Sequence, residues 1–326
     1  MVPPRLKLTG SLGTIHLRTQ QHARLHTTSR RRSRMSELFL AIGFGLVVAS
    51  VLALAAVGLS LQFGITNYIN FAYGDFMAVG AYIAWTINTG PWHLNIWVAM
   101  VVGALGVGVM AVLLNRFLLA PFARRFQKLF YILIVTFGLS LILLNIVSSI
   151  WGNEVQRYTI PNENPFHVGP FLFTTDQLVV IAIAIVLMVL IHVMLTATRI
   201  GKSMRAMSDN TTLAMTSGID TRRITTLTWF LSGCLAGLAG TVLGITQASI
   251  TPGSGETFLF VIFAAVIVGG VGSIYGAIVG AVIVGLATEV SALFIDAAYK
   301  LDVAFVILIL ALLFRPNGLF ARPGKA

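Results

Sequence analysis

From Leu38 to Asn115, some 78 residues, the chain carries a single charged side chain, Asp75. A water-exposed fold must cover its core with polar groups, and a stretch this long with one charge fits only apolar surroundings. About 20 apolar residues let a helix cross the hydrocarbon of a bilayer, and most of the remaining chain divides into segments of that size. Hydrophobic residues make up 57% of the 326 and charged ones 10%, with a mean hydropathy of +0.89, too little polar surface for a soluble domain. The one cysteine, Cys234, lies in an apolar run and reads as packing, so the redox compartment stays open.

The net charge of +11 is local. Arg5, Lys7, Arg18, Arg24, Arg30, Arg31, Arg32 and Arg34 precede Met35 without an intervening acid, and the rest holds 14 basic against 11 acidic residues, a net of +3. Nucleic acid is therefore not an expected partner. Residues 1–34 read as a basic leader outside the fold, disordered or arising from a mis-assigned start, because Met35 directly precedes the first apolar segment. A transit peptide and a lipid-binding arm are the alternatives. Residues 35–320 form the membrane domain and 321–326 a cytoplasmic tail.

Short loops rich in Lys and Arg stay in the cytoplasm. Arg116, Arg124, Arg125 and Lys128 mark one such loop, and Arg199, Lys202, Arg205, Arg222 and Arg223 mark a second. The stretch Gly152–Asp176 carries Glu154, Glu163 and Asp176 against Arg157, with Pro161, Pro165, Gly169 and Pro170, and reads as external. The loop ending at Glu256 and the one around Asp296 and Asp302 are external too, while Arg315, Arg322 and Lys325 mark an internal end. From an internal start, an even number of crossings must reach the Arg116 loop, yet three apolar pieces precede it: Leu38–Leu61, Thr66–Asn88 and Trp92–Leu119. The middle piece, interrupted by Asn67, Asn70, Gly74 and Asp75, is expected to enter and leave by the external side. Later crossings are Leu129–Trp151, Gln177–Thr198, Ile224–Ile245, Thr257–Val268, Gly272–Phe294 and Val303–Phe314, with Lys300 snorkelling outward. The expectation is an all-α polytopic membrane protein with about eight transmembrane helices plus one broken or re-entrant segment, and both termini cytoplasmic.

Polar groups at membrane depth are candidates for a substrate path, here Gln62, Asn67, Asn70, Tyr73 and Asp75. A half-helix starting after Asp75 would offer free N–H groups to a carboxylate. The plainer reading has Asp75 cap a helix Phe76–Trp85, and it is preferred because a capping Asp would repel that carboxylate. Gly233 with Gly237, and Gly272, Gly276 and Gly280, recur every fourth residue, which suits close helix packing within the subunit or, second, a subunit interface. Along Ser203–Ile219, Met204, Met207, Thr211, Ala214 and Met215 fall at helical spacing and Gly218 can end that helix, giving an adaptable cytoplasmic contact surface. His192 reads as a packing or headgroup-level residue. Gly201, Lys202 and Ser203 imitate the end of a phosphate loop, but its first glycine would be Thr196, so no nucleotide site follows. No metal-ligand spacing and no nucleophile arrangement stands out.

The runs YINFAYGDFMAVGAY (Tyr68–Tyr82), RIGKSMRAMSDNTTLAMTSGIDTRRI (Arg199–Ile224), SGCLAGLAG (Ser232–Gly240), GGVGSIYGAIVGAVIVG (Gly269–Gly285) and LLFRPNGLF (Leu312–Phe320) resemble the LivH-type inner-membrane permease of branched-chain amino-acid ABC importers. The resemblance covers Met35 to Phe320. It implies an ABC-importer permease domain over 35–320 in a bacterial cytoplasmic (inner) membrane, moving branched-chain or other small amino acids inward. It further implies a second permease subunit of the LivM type, two ATPase subunits that hold ATP and Mg, and a periplasmic substrate-binding protein; this chain itself is no enzyme and needs no cofactor. The family's internal loop commonly shows an EAA-x-x-x-G pattern that docks on the ATPase. The matching positions here are Thr212, Leu213, Ala214 and Gly218, without the acid, and Arg205 and Met207 lie just upstream. Tyr73 stands where the family often has histidine. The same machinery carrying urea or short amides is the alternative. An ion-coupled secondary transporter is the reading from another class, for which only Asp75 and Glu289 are available as intramembrane ionisable groups.

Overall fold

The computed structural model describes residues 12–91, 93–125, 129–160, 165–169, 171–315 and 318–320. The expectations on residues 1–11, Lys128, Pro161, Glu163, Pro170 and the tail 321–326 lie outside the described residues. The order is α1 (Leu12–Thr66), α2 (Tyr73–Thr89), α3 (Ile96–Leu114) continuing through a π-helical turn (Asn115–Leu119) into α4 (Ala120–Arg125), then α5 (Leu129–Trp151). A hairpin of β1 (Phe166–Val168) and β2 (Phe171–Phe173) precedes α6 (Thr175–Ala197), α7 (Arg199–Asp209), α8 (Thr211–Thr216), α9 (Thr221–Gln247), α10 (Ser254–Gly269), α11 (Ile274–Ser291) and α12 (Lys300–Phe314). The eight expected crossings correspond to α1, α3, α5, α6, α9, α10, α11 and α12, and the broken segment yields α2. Seven spans are apolar and long enough to cross a bilayer, among the described residues; α10, with 16 residues, is the shorter apolar helix.

Local chemistry sets the helix starts. The Thr174 hydroxyl accepts from the Gln177 N–H while the Gln177 side chain accepts from the Thr174 N–H, a capping box that opens α6. Thr198, Asn210, Asp220 and Ser273 cap α7, α8, α9 and α11 in the same side-chain-to-N–H manner.

The centre of the bundle is α9, with 78% of its most apolar window buried, against 17% for α6 and 6% for α12. The last two therefore present apolar faces outward (Val186, Val189 and Leu190; Ile309, Leu313 and Phe314), as a lipid surround requires. Between helices, close approach falls to glycines. A Cβ on Gly276 or on Gly269 would collide with the other's backbone, one on Gly280 with Ala265, one on Gly233 with Ala111, and one on Gly237 with Ala104. These four-residue repeats thus lie at contacts within the chain, while Gly272 has φ +79° at the turn before α11.

The path of the first three helices differs from the sequence expectation. Phe39 stacks edge-on against Phe171, and a Cβ added to Gly43 would stand 3.5 Å from the Phe173 ring, so this end of α1 shares a face with the hairpin. At its other end, a Cβ added to Gly64 would stand 3.5 Å from the Ser208 hydroxyl in α7 and 3.7 Å from the Gly272 carbonyl, and Asn67 follows one turn beyond Phe63. Asn88 bonds both ways with the backbone of Thr159, which returns the chain to the hairpin face. The Thr66–Asn88 segment therefore runs from one face to the other instead of entering and leaving by one, and the first span starts on the hairpin face. The parity count assumes an internal start, whereas Phe39 sets the start of the first span on the hairpin face, and the polar breaks do not stop the chain between the two faces. Lys300, at the start of α12, is held in an ion pair, its Nζ 2.7 Å from Glu289 Oε2.

Candidate functional site

Asn67 ends α1. It takes φ 55°, the left-handed conformation open to asparagine at a helix C-terminus, and its N–H bonds the Phe63 carbonyl at 2.8 Å. The side chain is exposed, so Asn67 does not join the other four path candidates. The chain then rises without helical bonds to Asn70, whose Oδ1 accepts from the Ala72 N–H at 3.1 Å and whose carbonyl accepts from Tyr73 N–H at 3.3 Å. Asn70 thereby starts α2. Asp75 does not cap it; it sits within the first turn, where its charge suits the helix dipole, and its Oδ2 accepts from the Ser140 hydroxyl of α5.

Gln62, Asn70, Tyr73 and Asp75 are all buried to 1% exposure or less. The Tyr73 hydroxyl reaches the Ser232 carbonyl at 3.4 Å, and the Ser232 hydroxyl donates to the Gly58 carbonyl at 2.8 Å and lies 3.4 Å from Gln62 Oε1. A polar seam therefore runs where α1, α2 and α9 meet, with Asp75 and Ser140 tying α2 to α5. Gln62 Nε2, Asn70 Nδ2 and Asp75 Oδ1 have no hydrogen-bond partner among the described residues, nor has Ser60 Oγ. Each such buried group costs about 1–3 kcal/mol, so the seam is poised to take a polar partner.

Gly58, Ser140 and Ser232 belong to this seam and were missed. Serines inside α5 and α9 were the available signal, but nothing local marks their partners, which lie up to 174 residues away. Above the seam the loop after α5 lies over α2: Tyr158 Oη donates to the Ala81 carbonyl at 3.0 Å and Trp85 Nε1 to the Arg157 carbonyl at 3.0 Å. Burial pushes the Tyr158 phenol well above its ordinary range, which keeps it a donor.

On the opposite face, α7 and α8 form a short helical pair. Met204 and Met207 are buried against the bundle together with Gly201 and Ala214, so they do not form the exposed stripe expected of them. The outward apolar residues are Leu213 and Met215, and Thr212 and Arg205 are exposed. Gly218 has φ +82°, the Ile219 N–H bonds the Ala214 carbonyl at 3.1 Å, and the Gly218 N–H bonds that of Met215 at 3.1 Å. This is the left-handed close of α8 that the sequence anticipates. A cavity of about 290 Å³ lies between α1, α6, α7 and α11, lined by Ser60, Gly64, Arg205, Ser208 and Tyr275 among others. Ser60 and Gly64 turn one face of α1 to this cavity, while Gly58 and Gln62 turn another face of the same helix to the seam. His192 on α6 pairs with the Tyr275 hydroxyl at 2.8 Å on the outer surface beside it.

Residues 41–312 match the family model described as branched-chain amino acid transport system / permease component. The chain is 30% identical over 294 residues to the high-affinity branched-chain amino acid transport system permease protein LivH of Escherichia coli K12, covering 86% of this chain and 94% of that one. It is 32% identical over 292 residues to a probable LivH permease of Methanocaldococcus jannaschii, covering 84% and 90%. To the BraD permease of Pseudomonas aeruginosa it is 30% identical over 301 residues, covering 86% and 94%.

Proposed function

The chain belongs to the family of branched-chain amino acid transport permease components, and from that premise we propose that it moves branched-chain or other small amino acids inward, paired with a second permease subunit. ATP would be hydrolysed on two partner ATPase subunits, and a periplasmic binding protein would present the substrate. This chain contributes the translocation path. In the orientation we propose, the basic α7–α8 face is cytoplasmic and the hairpin face periplasmic, so the first span begins outside and α12 ends inside.

The observation that carries the mechanism is the seam of unpaired buried polar groups on the broken segment and the adjoining end of α1, with a cavity on the α7 side across α1 from it. In a packed interior such groups are costly, and they are retained where a substrate's polar groups pass. ATPase closure would press on α7 and α8; Met204 and Met207, buried between α7 and the bundle, would transmit the push to α1 and open the cavity toward Gln62.

Gln62→Leu tests this path. It removes a buried amide whose nitrogen has no partner and whose oxygen has only a long 3.4 Å contact from Ser232, without adding volume, so the purified complex should stay assembled and about as heat-stable. Uptake should nevertheless fall by about tenfold or more, which is the loss of about 1.4 kcal/mol of interaction with the moving substrate. Unchanged uptake would take the path away from the seam.

A further inference from the structure

A second cavity, of about 660 Å³, lies at the hairpin-facing end of the bundle, among α1, α6, α9, α10, α11 and α12. None of the path candidates lines it. Its wall divides by chemistry. Phe44, Val47, Val51 and Val261 give an apolar side, whereas Gln247 and Thr288 stand on a polar side that also holds Glu289 and Lys300. The ion pair of those two, 2.7 Å between Nζ and Oε2, joins the end of α11 to the start of α12, and the side chains are only 14% and 34% exposed respectively.

Resting on the amino-acid reading above, we propose that this cavity is a binding site for a zwitterionic α-amino acid with an aliphatic side chain, its carboxylate on Lys300, its ammonium on Glu289 and its side chain against Val47 and Val51. An ammonium carries three donors and a carboxylate about four acceptor positions; the contact between Lys300 and Glu289 uses one of each and leaves the remainder to face a ligand carrying both charges. A neutral amide satisfies neither charge, and an ion of one sign leaves the other partner without its counter-charge. The volume lies in the range of small-molecule sites. Leu243 and Ser254 also line the crevice beside Met77 and Ala81 of α2, so the cavity adjoins the helix that carries the seam. The site is the external waiting position, ahead of the seam on the inward route.

The test is equilibrium binding of radiolabelled L-leucine to the full complex in lipid nanodiscs, without binding protein. Saturable binding is expected, and 4-methylpentanoate, which lacks the ammonium, and 3-methylbutylamine, which lacks the carboxylate, should each compete at least about tenfold more weakly than leucine. The double variant Glu289→Gln with Lys300→Gln leaves no uncompensated charge and should weaken leucine binding by about tenfold or more while the complex stays assembled. Lys300→Gln alone should most affect competition by the acid, and Glu289→Gln alone that by the amine. Equal binding to the wild type and the double variant, equal competition by the singly charged analogues, or no saturable binding would overturn the proposal; if the double variant does not assemble, competition on the wild type decides. ATP-driven leucine uptake by the wild-type complex with its binding protein is measured in parallel. Uptake without a saturable site sinks this inference and leaves the transport reading standing, whereas absence of uptake for every amino acid sinks both.

Discussion

Gly58 makes room for the Tyr73 hydroxyl. A Cβ there would overlap the hydroxyl oxygen and stand 3.0 Å from Leu235 Cβ. Gly58→Ala should therefore lower the thermal stability of the purified complex by the cost of overpacking, about 1–3 kcal/mol. Tyr73→Phe removes the colliding atom, so the double variant should recover most of that loss, and a double-mutant cycle in detergent reads the coupling. Additive losses would place the clash elsewhere. At this scale the sequence is informative about costly groups and silent about their partners. Asn70, Tyr73 and Asp75 are recognisable because polar residues are rare at membrane depth. Asn67 looks the same on paper yet serves as the left-handed end of α1, and Ser232, ordinary on paper, joins Tyr73, Gln62 and Gly58.

Among the elements, α7 and α8 show why a helical period does not reveal direction. Met204, Met207 and Met215 share a spacing, but tertiary packing turns the first two inward and leaves Met215 with Leu213 outside. The contact surface for a partner ATPase is therefore best tested at Leu213, where Leu213→Asp adds a charge on an exposed side chain without burying it. That variant should keep assembly with the second permease and lose most of the ATP hydrolysis stimulated by loaded binding protein; normal stimulation would move the contact elsewhere. Met207→Asp would instead bury a charge and unsettle α7 itself. A Cβ on Gly218 meets no neighbour within 4 Å, so the cost of Gly218→Val comes chiefly from the left-handed backbone, about 1–2 kcal/mol. It should distort the close of α8, impair stimulation and leave heat stability of the membrane bundle nearly unchanged, as a thermal melt would show.

For the whole molecule, the helical count was readable because hydropathy reports length directly, while the direction of travel through the first three spans was not. A non-helical stretch such as 67–72 looks like a stop in sequence, yet the chain passes through it from α1 into α2 and on toward the other face. In a Cys234→Ala background, Asn67→Cys should react with an impermeant thiol reagent only from the cytoplasmic side and Leu94→Cys only from outside; labelling of both from outside would restore the re-entrant arrangement. The most direct test of the transport account is uptake into proteoliposomes holding this chain, its second permease and the two ATPases, with the binding protein outside and ATP and Mg sealed within. The account predicts accumulation of labelled leucine, isoleucine or valine that requires both internal ATP and the binding protein and is unaffected by collapsing ion gradients. Accumulation that persists without ATP and vanishes with the gradient, or accumulation of urea but of no amino acid, would contradict it.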